Sequence, residues 1–202
     1  MTTPRVRRGA RIHRRMKLRR RSALLACCAL VAIPLAGCGD KTARTTFGDT
    51  EGSVLNVGPL LYQVMISREL NPYDNEDKAY LQGVPGGGTN LGKGESWFAV
   101  FVRVDNEHQA NLPAATQFQL RDTQDNVYTP VVMPPGNQWA YRGGIVPGHG
   151  YLPEYDTPAD NNTSIRGLML LFKLNQVSYD NRPLELIIQG QNGQEASVDL
   201  DV

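Results

Sequence analysis

Cysteine is scarce in this chain. There are three, Cys27, Cys28 and Cys38, and none follows position 38. The long remainder therefore has no thiol pair for a disulfide, no cysteine-based metal site and no thiol nucleophile. Histidine is almost as rare, with His108 and His149 alone beyond that point. No G-x-S-x-G elbow occurs, since Gly94-Glu95-Ser96-Trp97-Phe98 lacks the closing glycine. A hydrolase would need His108 or His149 to converge with serine and carboxylates from distant positions. Acidic residues are missing before Asp40, whereas ten of the 21 cations precede Ser22. From Cys38 onward eleven cations face twenty acids, a net charge of −9. A surface of that sign argues against nucleic acid, whose phosphates demand a basic face.

What is present at the start is a basic segment followed by fifteen apolar residues, Ala23 to Gly37. This is the layout of a signal peptide, and it falls short of the ~20 residues a spanning helix needs. The run ends Leu35-Ala36-Gly37-Cys38, which resembles the lipobox of bacterial lipoproteins. The resemblance implies a diacylglyceryl group on the Cys38 thiol and cleavage before it. It also implies further acylation of the new amine. Two or more acyl chains, at ~0.8 kcal/mol per buried methylene, hold a protein stably to a bilayer. The expected division is a removed signal peptide over 1–37, a lipidated cysteine and flexible tether over 38–53, and one folded domain over 54–202. The expected location is the extracytoplasmic face of the cell membrane. Arg14-Arg15-Met16-Lys17-Leu18 faintly resembles a twin-arginine export signal, but a chance pair among so many arginines is the better reading.

Beyond the tether, strand signals recur and helical periodicity does not. Leu60, Tyr62, Val64 and Ile66 alternate with Leu61, Gln63 and Met65. Trp97 to Val104 is the strongest strand. Gln117–Leu120 and Val127–Thr129 flank a hairpin turn at Asp122–Asn126. Ile165–Leu174, Leu184–Gln189 and Ala196–Val202 complete about seven strands, the last two joined through Asn192-Gly193. Two stretches break the pattern: a helical turn over Asn75–Leu81 before a glycine-rich loop, and a long ordered loop over 134–162 with at most one short strand. The fold class is all-β, an antiparallel immunoglobulin-like sandwich with long loops.

The pieces GPLLYQVMIS, WFAVFVRVDNE, FQLRDTQDNVYTP and RGLMLLFKL leading to RPLELII span about Gly58 to Gln189. Together they resemble the extracytoplasmic immunoglobulin-like family known as domain of unknown function 4352, common in lipoproteins and secreted proteins of Gram-positive bacteria. Secreted mycobacterial immunogenic proteins look like the same sandwich. The resemblance implies a fold and a compartment, and no catalytic residues.

Four groups of residues carry candidate chemistry. Gly87 to Gly94 fits the G-x4-G-K part of a phosphate-binding loop, but Gly94 stands where a Ser or Thr should be and a strand follows instead of a helix. Asp74, Glu76 and Asp77, with Asp156 and Asp160, supply hard oxygen ligands suited to calcium, although neither run matches an EF-hand. Asp74 fits equally well as the cap of a short helix. The third group is on the central strand, where Phe98, Val100, Val102 and Val104 make one apolar face and Trp97, Ala99 and Phe101 the other. One face belongs in the core. The second is either covered by Trp139 and the tyrosine-rich 134–155 loop, or open to a partner with Trp97 and Phe101 as anchors. The fourth is Cys38 itself. The sequence thus reads as a non-catalytic, lipid-anchored binding module for a protein or envelope partner, with no cofactor. A small-solute or calcium-binding lipoprotein is the alternative, and an envelope-processing hydrolase comes third.

Overall fold

The computed structural model describes residues 45–162 and 165–201. Leu35, Ala36, Gly37 and Cys38, with the rest of the leader, lie outside them. All the described residues belong to a compact unit spanning Asp40–Val202.

Twelve strands occur among the described residues. They are β1 (Phe47–Gly48), β2 (Val54–Val57), β3 (Leu60–Leu70), β4 (Glu95–Asp105), β5 (Leu112–Pro113) and β6 (Gln117–Arg121). Then follow β7 (Val127–Tyr128), β8 (Ile145–Val146), β9 (Tyr151–Leu152), β10 (Leu168–Asn175), β11 (Leu184–Gln189) and β12 (Glu195–Leu200). Seven of these have four residues or more; six are expected strands, the seventh, β2, is not among them, and the expected Val127–Thr129 strand is reduced to the two-residue β7. One sheet runs β10-β4-β3-β2, with β9 added beside the end of β4. The other runs β1-β12-β11-β6-β7, and a two-stranded β5-β8 sheet stands apart. Pairing is antiparallel except between β1 and β12. The molecule is an all-β sandwich. The β6-β11-β12 group has the arrangement of the C–F–G half of an immunoglobulin domain; in the facing sheet β4 follows β3 directly.

Between the sheets lies a core containing Leu55, Tyr62, Phe98, Val102, Leu186 and Val198, each almost wholly buried. Even-numbered residues of β4 point into it, as the alternation of a strand requires. The odd-numbered set, Trp97, Ala99 and Phe101, faces the opposite way and is equally buried, in a second core with Tyr80, Leu81, Met133 and Ile165. Helix α1 (Asn75–Tyr80) builds part of that cover. The Asp74 carboxylate caps it by accepting from the N–H groups of Glu76 and Asp77, so the capping role for Asp74 is the one realised. Tyr80 then packs edge-on against Phe101 at 5.0 Å and Trp139 at 5.1 Å. Each such side chain contributes about 1.5–3 kcal/mol by burial.

Two segment expectations are corrected. Residues 45–53 are not a free tether: Phe47 and Gly48 pair with Ser197 and Val198 of β12, and Thr45 bridges Leu55. Strand β12 would otherwise expose a row of unpaired main-chain groups, and the chain entering the domain covers two residues of it. The 134–162 stretch holds two short strands, β8 and β9, and one helical turn, α2 (Pro158–Asn161). Thr157 caps that turn and Pro158 starts it.

Candidate functional site

Two recesses among the described residues bear on function. The first lies where β4 ends, among Tyr62, Gln63, Asp105, Asn106, His149 and Tyr151, with a volume of about 490 Å³. Asn106 is its frame. This residue is 2% exposed. Its amide donates to the carbonyls of Ala110, Val146 and Pro147 at 2.8–3.1 Å, and its Oδ1 accepts from the His108 N–H. These bonds draw the 106–111 and 146–150 loops together, and the His149 N–H completes the link to the His108 carbonyl. Arg103 grips Asp105 through two nitrogens at 2.9–3.2 Å and lies 4.1 Å above the Tyr151 ring. Asp105, which lines the same recess as His149, is therefore already matched by a cation. No serine lines this recess, so the convergence that a hydrolase would need is not assembled here.

The second recess, about 530 Å³, opens beside β6. Its walls are Gln117–Gln119 on one side and Thr129–Met133 on the other, with Arg142, Gly143 and the buried Leu170 between. The volume is that of a small-ligand or peptide site. Behind it, Ala115 is fixed by two tyrosines. Its N–H donates to the Tyr62 hydroxyl at 2.6 Å, and its carbonyl accepts from the Tyr141 hydroxyl at 2.8 Å. Burial pushes both phenols up from their ordinary value, so both stay neutral near pH 7. Arg142 is turned onto the carbonyls of Met133, Pro134 and Asn137. At the far end of β6, burial pushes the Asp122 carboxyl up, but bonds from Asn126, Asn181 and Gln124 outweigh it and hold the group low. Asp122 thereby pins the hairpin turn, with Asp125 at φ 61. This recess was not legible from residue types. Its signal lies in the position of one proline.

The partner-anchor role for Trp97 and Phe101 is corrected: they are 4% and 0% exposed. The second face of β4 is closed by α1, the residues after it and the 131–140 segment, with Trp139 half-buried beside them. The oxygen ligands do not assemble either. Asp77 pairs with Arg68 and accepts from the Asn71 N–H. Asp160 accepts from the Asp156 N–H and the Tyr151 hydroxyl, and Asp156 accepts from Asn161. Among the described residues no three His, Cys, Asp or Glu side chains come together as a metal site. Asp74 and Glu76 remain helix-start residues, so the calcium assignment to these five acids has no geometric basis. The glycine-rich loop acts structurally, because the Gly88 carbonyl accepts from the Trp97 indole at 2.6 Å.

No known family profile matches the chain, and no curated protein sequence does. Its solved structural neighbours are distant. The yjhA protein of Bacillus subtilis is 13% identical with a TM-score of 0.43, matching 76% of this chain and 99% of that one. A candidate lipoprotein of the same species, ycdA, is 12% identical with a TM-score of 0.45, matching 76% of this chain and 39% of that one. An uncharacterized β-sandwich protein of Clostridium difficile is 8% identical with a TM-score of 0.41, over 81% and 99% of the two chains. The sandwich assignment rests on the strand pairing of the molecule itself.

Proposed function

We propose that this protein is a lipid-anchored extracytoplasmic lipoprotein whose sandwich serves as a non-catalytic binding module for a protein or envelope component. The recess beside β6 carries this reading. It is an open recess lined by the buried Phe118, Met133 and Leu170 together with neutral polar side chains and one cation already satisfied by carbonyls. Groups of that kind recognise shape and main chain, and no His, Cys, Asp, Glu or Lys lines the recess to activate its hydroxyls. Cys38, after Leu35-Ala36-Gly37, supplies the anchor, and the −9 net charge keeps the domain off anionic lipid.

The test has two arms. Palmitate labelling and membrane fractionation compare the wild type with Cys38→Ser; label and membrane retention should both vanish in the variant. Crosslinking in native membranes, followed by affinity capture and mass spectrometry, should yield one dominant envelope partner. Recovery of no partner above background would overturn the binding reading. Retention of the label in Cys38→Ser would overturn the anchor.

A further inference from the structure

We infer that the recess beside β6 receives an extended peptide as an added strand, uncharged where it pairs and basic beyond. This rests on the binding-module reading and names the occupant of its site.

Register shows which main-chain groups are open. In the β11–β12 ladder the Gly190 N–H donates to the Gln194 carbonyl at 2.7 Å. Main-chain groups alternate sides along an antiparallel strand, so those of Ile188 and Leu186 also face β12, and those of Gln189, Ile187 and Glu185 face β6. Their partners are Gln117, Gln119 and Arg121. The main-chain groups of Phe118 and Leu120 therefore point away from β11. The hairpin gives the same answer independently, because the Asp122 N–H donates to the Asn126 carbonyl at 3.1 Å and Leu120 stands opposite Tyr128.

Continuing that ladder by two residues would set Phe118 opposite Pro130. Proline has no N–H to give, so the bond to the Phe118 carbonyl cannot form and the rung loses half its hydrogen bonds. Instead the chain leaves β6 and crosses to the other sheet, where the Val131 N–H donates to the Leu171 carbonyl at 2.7 Å. Strand β10 is covered in this way, and again by Trp139 and Tyr141, which exchange bonds with Met169 at 2.6 and 2.8 Å. The edge of β6 at Thr116 and Phe118 is left facing the recess. Natural edges are usually blunted with charge or a bulge; Thr116-Gln117-Phe118-Gln119 carries neither.

What fits an N–H and C=O at every second residue is another extended main chain, at ~3.3 Å per residue. A peptide of about four residues would fill the open stretch. Charge complementarity sets its flanks. The domain carries −9 beyond its leader. Gln189 at the rim binds Glu195 at 3.4 Å, and Asp125 marks the hairpin end of β6. Arg142 is engaged with carbonyls and offers little to an acid. Cations outside the paired stretch are thus favoured.

The experiment uses the full chain, 15N-labelled in detergent micelles, and the probe acetyl-Lys-Thr-Val-Thr-Val-Lys-amide up to about 1 mM. Shifts and slowed hydrogen exchange are expected at the Thr116 and Phe118 amides. Affinity should fall about ten-fold or more when alternate probe amides are N-methylated, and also when both lysines become glutamates. Equal affinity for the N-methylated or the acidic probe would overturn the proposal, as would shifts at another edge or none. Shifts of these same amides with protein concentration, without probe, would assign the edge to a second copy and overturn it too. Probe binding by Cys38→Ser separates this result from the anchor: it survives if only the anchor fails.

Discussion

Trp97 and Gly88, nine residues apart, are joined by a 2.6 Å bond from the indole N–H to the glycine carbonyl. The bond fastens the glycine-rich loop over the second face of β4, while Lys173 lies 5.4 Å above the indole ring on the exposed side. Gly88 itself sits at φ +83, and a Cβ there would meet the Leu81 Cδ1 at 2.7 Å. Leu81 is wholly buried and has nowhere to retreat. Gly88→Ala should therefore lose about 2 kcal/mol in urea unfolding. Gly87, at φ +62 with nothing near its missing Cβ, provides the control. Gly87→Ala should lose only about 1 kcal/mol, the cost of the left-handed backbone. Equal losses would show that the Leu81 contact is not the cause.

Asn106 satisfies three carbonyls and one N–H from a site 2% exposed. Replacing it with alanine strands the buried Val146 carbonyl and leaves the Ala110 and Pro147 carbonyls and the His108 N–H, which lie nearer solvent, without this partner. Asn106→Ala should cost about 2–3 kcal/mol and raise amide exchange through 106–111 and 146–150 before the sheets. Loss spread evenly over the domain would contradict this local role.

Asp77 is structural, so its loss should be independent of calcium. Asp77→Ala leaves Arg68 and the Asn71 N–H without their acceptor and should lower stability by about 2 kcal/mol. Millimolar calcium should leave the melting temperature of the wild type unchanged. A calcium-induced rise that disappears in Asp74→Ala would restore the metal reading.

Asp199 stands directly opposite Glu185, with Asp49 nearby. Burial first, and these two carboxylates next, push its carboxyl above the ordinary value. A raised folded value means that the ionised group opposes folding at neutral pH, and that the penalty fades as pH falls through the folded value. Asp199→Asn should therefore stabilise at pH 7 by about 0.5 kcal/mol. Its advantage over the wild type should shrink toward about pH 4. Asp122 has the opposite sign: its contribution is present above the ordinary carboxylate value and is lost as pH falls through the lowered one. An advantage of Asp199→Asn that grows in acid would refute the assignment.

Much of the architecture was legible because it is local. Alternation identified β3, β4 and β6, and the double apolar face of β4 was visible in seven apolar residues among the eight from Trp97 to Val104. Asp74 announced α1 through capping chemistry. Asn192 and Gly193, at φ 64 and 75, turned the final hairpin as their residue types require. Burial of Trp97 was one of two readings open to the sequence. What covers it comes from residues 80–84, 131–140 and 165, and no periodicity links those segments.

The sequence by itself determined the class of the domain, its strands and its acidic surface, because side-chain period and charge are properties of neighbours along the chain. Tertiary structure alone decided the rest. Residues 45–53 look like a polar linker until β12 offers an edge to pair with. The five candidate ligand acids look available until Arg68, the Asn71 and Asp156 main-chain N–H groups and the Tyr151 hydroxyl engage Asp77 and Asp160. Pro130 looks like any loop proline until register sets it opposite Phe118, where a missing N–H ends one ladder and leaves an edge open.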